Sequence, residues 1–201
     1  MTDTTWPVDL RGVTESVVAT LGPNDRWNQA ALGLHAPESA DDAATATTWG
    51  RTRTRGNFER RGGGVVQFTT DPREFVDAAL DVTETDDPVR TGAAAWVEVT
   101  AERLDEGVED GTEWVRWALT PVESAVREET VPTINRGFYA VVDATVAASR
   151  LDVPAFDTAV LLDRLAYFAE TVARCGGPAE REAFARLDDL TEWRERRNES
   201  L

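Results

Sequence analysis

The sequence predicts an α+β fold, a strand-built domain followed by a helical appendage, on two observations. From about residue 12 to 119, Gly, Pro and Asp break the chain into short apolar or alternating runs, as expected of strands joined by turns. After Pro121 the apolar residues recur at helical spacing instead. The expected division is therefore a strand domain over 12–121 and a helical region over 122–201 packed on it. The chain's 201 residues, 41% of them apolar and seven of them Trp, suffice for a substantial core.

Taken in order, ESVVATLG (15–22) and WNQAALGLHA (27–36) flank the turn-rich GPNDR and predict a hairpin. Residues 36–46 carry no periodic pattern and are expected to form a polar loop. TRGNFERR predicts a short helix capped by Thr54 or Asn57 and ended by Gly62, and GGGVVQFTTDP (62–72) predicts the strand after it. AAAWVEVTAERL (93–104) and TEWVRWALTP (112–121) predict a second hairpin, with DEGVEDG as its loop. In its second strand Val115, Trp117 and Leu119 share one face, which is expected to be core. INRGFYAVVDATVAASRL (134–151) suits either a strand or a helix. Beyond it, Phe156, Val160, Leu161, Leu165, Phe168 and Val172 trace one helix stopped by Gly176-Gly177, and Phe184, Leu187 and Leu190 trace another opened by Pro178.

The charge is lopsided: 37 Asp+Glu against 21 Lys+Arg, a formal net charge of −16, and no lysine, so every such cation is Arg. An acidic, lysine-free surface predicts adaptation to concentrated salt, and it repels nucleic acid and anionic membranes as partners. One cysteine, Cys175, excludes an internal disulfide, and one His with one Cys makes a zinc site implausible. The N-terminus lacks the basic start and apolar run of a signal peptide, and no stretch reaches the roughly 20 apolar residues that span a bilayer. The expected location is the cytoplasm.

Against this background TWGRTRTRGN (48–57) places Arg51, Arg53 and Arg55 at strict alternation. In an extended chain these three share one side, and Thr52 and Thr54 the other. A following helix start offers unpaired N–H groups, the threonines add donors, and Arg grips phosphate with a fork. The segment thus suits a phosphate-type anion, while pairing with the surplus carboxylates is its plainer use. In molar salt the screening length falls to about 3 Å, so only contact hydrogen bonds would select the anion, and the threonines and helix amides outrank net charge.

Elsewhere chemistry is sparse. GxGxxG and Walker patterns are absent, and Gly62–Gly64 suit a helix stop before a strand. The lone His35 has no Ser or Cys neighbour to make a triad, and Cys175 beside two glycines reads as packing. With no acid/base or nucleophile constellation, any chemistry would fall to a bound redox cofactor.

NDRWNQAALG (24–33), TRGNF (54–58) and GGGVVQF (62–68), a strand-turn-strand with an Asn followed by Thr-x-x-Asn-apolar and another strand, resemble the FMN-binding split-barrel superfamily of flavin reductase-like proteins. TWGRTRTRGNFERRGGGVVQFTTDPREFVDAAL and TEWVRWALTP…TVPTINRG are similar to a mostly archaeal family of uncharacterised proteins within it, in which a split barrel carries a C-terminal helical part. The likeness runs from about 12 to 195.

This resemblance implies a six-stranded split barrel and a homodimer with FMN near the subunit interface. It implies phosphate contacts from Thr52, Thr54, Asn57 and at least one of Arg51, Arg53 and Arg55. Asn28 and the 31–35 strand, with Gly33 and His35, would line the isoalloxazine ring. This sequence has Gln29 where many relatives have Pro, and three arginines where reductases often carry one Lys. The expected function is FMN-binding, as an oxidoreductase using NADH or NADPH, with a non-catalytic flavin- or ligand-binding module and a structural dimer protein as rivals. Asn135 and Arg136 are open between a flavin contact and a helix cap.

Overall fold

The computed structural model describes residues 4–39, 42–131 and 133–199. Seven strands and six helices follow in the order β1 (Val13–Leu21), β2 (Trp27–His35), β3 (Ala44–Trp49), α1 (Arg53–Arg61), β4 (Gly63–Thr69), α2 (Pro72–Leu80), β5 (Thr83–Thr85), β6 (Ala93–Glu109), β7 (Thr112–Val126), α3 (Arg136–Ala148), α4 (Thr158–Cys175), α5 (Pro178–Thr191) and α6 (Trp193–Glu199). The strands run β1-β4-β6-β7-β3-β2-β5, and a further β1–β2 pairing closes the first six into an antiparallel barrel, with β5 added outside on β2. The expected six-stranded split barrel with C-terminal helices is thus present.

The chain forms two compact units, one of residues 1–70 with 82–130 and one of 71–81 with 131–201. Strand β7 runs past residue 121 to Val126, because its pairing with β6 continues to Ala95. Helix α2, which interrupts the strand-rich half, sits with the C-terminal helices. An Asp71 cap and a Pro72 start announce it.

Barrel closure explains the buried runs. Strand β1 is flanked by β2 and β4 and has no free edge; its Val18 faces the barrel core, and Val17 and Ala19 on the opposite face are buried as well. Val18, Leu34, Val66, Val97, Val115, Trp117 and Leu119 share one core, so the predicted face of β7 is indeed internal. Phe58 of α1 enters this core edge-on to Trp117, ring centroids 5.3 Å apart. Burial of such a ring contributes about 1.5–3 kcal/mol.

The second hairpin differs from expectation. DEGVE continues β6, and the connection shrinks to Asp110-Gly111, whose φ values of 47° and 80° give the two-residue turn favoured by Asp-Gly. The ambiguous 134–151 segment is helix α3, capped by Asn135, whose side chain accepts from the amides of Gly137 and Phe138. In the helical unit Val76, Val141, Ala144, Leu161, Leu165, Phe184, Leu187 and Trp193 make the core. Phe156, Val160 and Leu190, expected inside by spacing, are exposed.

Candidate functional site

Helix α1 starts earlier than its sequence predicts, and this rearranges the arginines. Thr52, not Thr54 or Asn57, is the N-cap: its Oγ1 accepts from the Arg55 amide at 3.2 Å. Gly62 ends the helix at φ 69°, as expected of a left-handed C-cap. The extended alternation of 51, 53 and 55 therefore does not exist. Arg51 precedes the cap and meets Arg55 on one side of the helix start, while Arg53 reaches to another.

Arg51 and Arg55 converge on one carboxylate. Arg51 donates from Nε and Nη2 to the two oxygens of Glu113 at 3.4 and 3.3 Å, and Arg55 adds Nη1 at 3.0 Å. Arg55 also reaches Glu59 at 3.3 Å, and Arg103 joins Glu59 to Glu106 at 2.6 and 2.8 Å. This network borders an open cavity of about 530 Å³ lined by Arg51, Thr52, Arg55, Gly56, Glu113 and Trp114 among others. The size lies within the roughly 300–1,000 Å³ of small-ligand sites. The Arg51 hydrogen bond, with a smaller share from Arg55, holds the Glu113 carboxyl below its usual range. Glu59, and after it Glu113, raises Arg55 above the ordinary guanidinium value against a cost of desolvation.

Arg53 instead donates to Glu84 of β5 at 2.8 Å, where the Asn24 amide meets the other carboxylate oxygen at 3.1 Å. Thr54, Asn57 and Phe58, spaced i, i+3, i+4, form the buried stripe of α1. Asn57 bonds Thr20 and accepts from Arg60. Asn28 pairs through its backbone with Thr20 on one side and Glu84 on the other. The side chains of Thr54 and Asn28 are within residues only 5% and 6% exposed, and neither makes a hydrogen bond to another described residue. Helix geometry also leaves the amides of Arg53 and Thr54 without an intrahelical acceptor. The polar atoms of both side chains still reach solvent, so two polar side chains and two amides are free to bond a ligand around the start of α1.

His35 lies elsewhere. It ends β2 seven residues beyond Asn28, about 23 Å at the usual strand rise. It borders a separate cleft with Val13, Thr45, Leu104 and Arg116. Gly33 is beside it, facing Val13. The structure therefore gathers Asn28, Thr52, Thr54, Arg51, Arg53, Arg55 and Asn57 about α1, splits the arginines between two carboxylates, and leaves Gly33 and His35 at the far end of β2. Gln29 sits in a regular strand, its amide donating to Thr85 and Pro88 and accepting from Gln67.

Sequence reasoning missed Glu113, Trp114 and Glu84. The Asp-Gly turn ahead of Glu113 is the local signal for the hairpin tip, but its apposition to α1 arises from β3–β7 pairing across distant segments. Among the described residues no group of three His, Cys, Asp or Glu could hold a metal, and no helix is long and apolar enough to cross a membrane.

Among solved structures, an FMN-bound protein from Methanosarcina mazei shares the fold with a TM-score of 0.75 at 22% identity, over 90% of this chain and 96% of that one. An FMN-binding protein from Thermus thermophilus with bound p-hydroxybenzaldehyde matches more loosely, with a TM-score of 0.42 and 15% identity over 62% of this chain and 80% of that one. The flavin reductase HpaC complexed with NADP+ stands at a TM-score of 0.42 and 13% identity, over 59% and 81% of the two chains. The model of the N-terminal domain of a protein of unknown function, DUF447, matches residues 14–128, and the companion DUF447 model matches residues 135–189. With both parts matched in order, the chain belongs to the DUF447 family.

Proposed function

We propose that this protein binds FMN through its 5′-phosphate at the start of α1 and acts in redox chemistry as a homodimer, with NADH or NADPH as electron donor. The observation that carries the reading is the set of unpartnered donors around α1, in a barrel whose family includes an FMN-bound member. The residues fit the group. Thr52, the amides of Arg53 and Thr54, and the guanidiniums of Arg51 and Arg55 supply the donors a phosphate needs. The side chains of Thr54 and Asn28, whose polar atoms reach solvent, add hydrogen-bonding capacity beside them. Bound FMN would supply the electron transfer, and the chain's part is to hold, orient and shield it. A protein purified in high salt should be yellow, with a flavin spectrum, or should quench the fluorescence of added FMN. A colourless protein that leaves FMN fluorescence unchanged would sink the proposal.

A non-catalytic flavin-binding module is the second reading, favoured by the absence of His and Cys from the lining of the Arg51–Arg55 cavity. FMN-dependent oxidation of NADH or NADPH would exclude it.

A further inference from the structure

The cavity beside α1 is not electropositive as it stands. Its lining holds two guanidiniums, Arg51 and Arg55, against three carboxylates, Glu59, Glu106 and Glu113. The three acids differ in what neutralises them. Glu59 takes Arg103 at 2.6 Å and Arg55 Nε at 3.3 Å, and Glu106 takes Arg103 at 2.8 Å, whereas the Glu113 carboxylate draws its side-chain hydrogen bonds from Arg51 and from Arg55 Nη1. Arg51 grips it with a fork, Nε to one oxygen and Nη2 to the other, the geometry that the same side chain would present to a phosphate. Arg55 is held in place, its side chain only 16% exposed, while Arg51 is 86% exposed and Glu113 41%. The pair can therefore open toward solvent without disturbing the barrel.

We infer that Glu113 is a built-in placeholder anion, occupying the seat of the phosphate between Arg51 and Arg55 and yielding it to a phosphomonoester. This rests on the phosphate reading of the cavity proposed above. A singly charged carboxylate satisfies the guanidiniums when the seat is empty of ligand, keeping two cations from binding weak anions such as chloride. A phosphate dianion brings more charge and more acceptor oxygens, so it displaces the carboxylate where chloride does not. The competition acts at contact distance, where even a screening length of about 3 Å leaves it intact.

The test compares the wild type with Glu113→Gln and Glu106→Gln, each checked for a single cooperative melting transition above the assay temperature. Binding is titrated with FMN, with riboflavin, and with inorganic phosphate. Glu113→Gln is expected to bind FMN and phosphate more tightly, on the order of threefold to tenfold given the modest strength of exposed ion pairs. Riboflavin affinity should not move, and Glu106→Gln should change phosphate binding by less than about twofold. Unchanged or weaker phosphate binding in Glu113→Gln would overturn the inference. So would an equal gain in Glu106→Gln, which would mean that overall charge, not the seat, matters. If phosphate binding rises in Glu113→Gln while neither protein binds FMN, the placeholder stands and the cofactor reading falls.

Discussion

Asn57 donates through Nδ2 to the carbonyl oxygen of Thr20 at 3.3 Å and to its hydroxyl at 3.0 Å, with both residues buried. The two bonds stitch the second turn of α1 to β1, the strand that closes the barrel. The Asn of the Thr-x-x-Asn segment therefore anchors α1 to the barrel, with its own amide turned inward.

Replacing Asn57 with Ala removes both stitches and leaves the buried Thr20 groups unpaired. A loss of about 1–3 kcal/mol is expected, readable as a lower denaturation midpoint at unchanged slope. A stability within error of the wild type would mean that water substitutes freely at this site.

Thr52 caps α1 through its hydroxyl. Thr52→Ala should cost about 1 kcal/mol of stability and Thr52→Ser almost nothing, since serine caps equally well. In the proposed site, Thr52→Ala should also weaken FMN while Thr52→Ser preserves it. Fluorescence titration beside thermal melts separates the two effects.

Glu113 carries a pH signature. Its carboxyl titrates below the ordinary value of 4.5 in the folded chain because of Arg51 and then Arg55. A folded-state value below the unfolded one contributes stability that is present above the unfolded value and is lost as pH falls through the folded one. The difference in melting temperature between wild type and Glu113→Gln should thus be constant above about pH 5 and shrink as pH falls below about 4. A difference that grows on acidification would contradict the pairing.

Gln67 and Gln29 form a buried relay: Gln67 donates to the Gln29 oxygen at 2.9 Å and accepts from the Arg90 amide at 2.6 Å. Gln67→Leu should destabilise by about 1–3 kcal/mol, because the Gln29 oxygen and the Arg90 amide each lose a partner. A Gln29→Leu/Gln67→Leu pair should cost less than the sum of the singles, as measured by a double-mutant cycle.

Period and punctuation made much of this fold legible. The β1–β2 hairpin, the buried face of Val115, Trp117 and Leu119, and the stop at Gly62 follow from local rules that the structure obeys. The misreadings lie where two local rules compete. Thr52, Thr54 and Asn57 are all capable caps, and the choice fell to Thr52 because Thr54, Asn57 and Phe58 are needed as the buried stripe. DEGVEDG looks like a loop by composition, yet pairing along β7 draws most of it into β6. The arginine stretch could be read as anion-seeking, but the partners Glu113 and Glu84 lie on distant strands and cannot be found by spacing.

The insertion of α2 between β4 and β5 means that no single cut separates this protein into two self-sufficient pieces. A fragment ending at residue 130 would keep the whole barrel yet carry α2 without α3 and α5, leaving Val76 without the core it packs in. A fragment beginning at 131 would lack Val76 from the centre of its own core. During synthesis the helical unit must wait for its last segments, since Val76 and Leu187, far apart in the sequence, meet in one cluster. Residues 72–80 thus leave the ribosome before α3 and α5 exist, and until those helices arrive Val76 has no core to join.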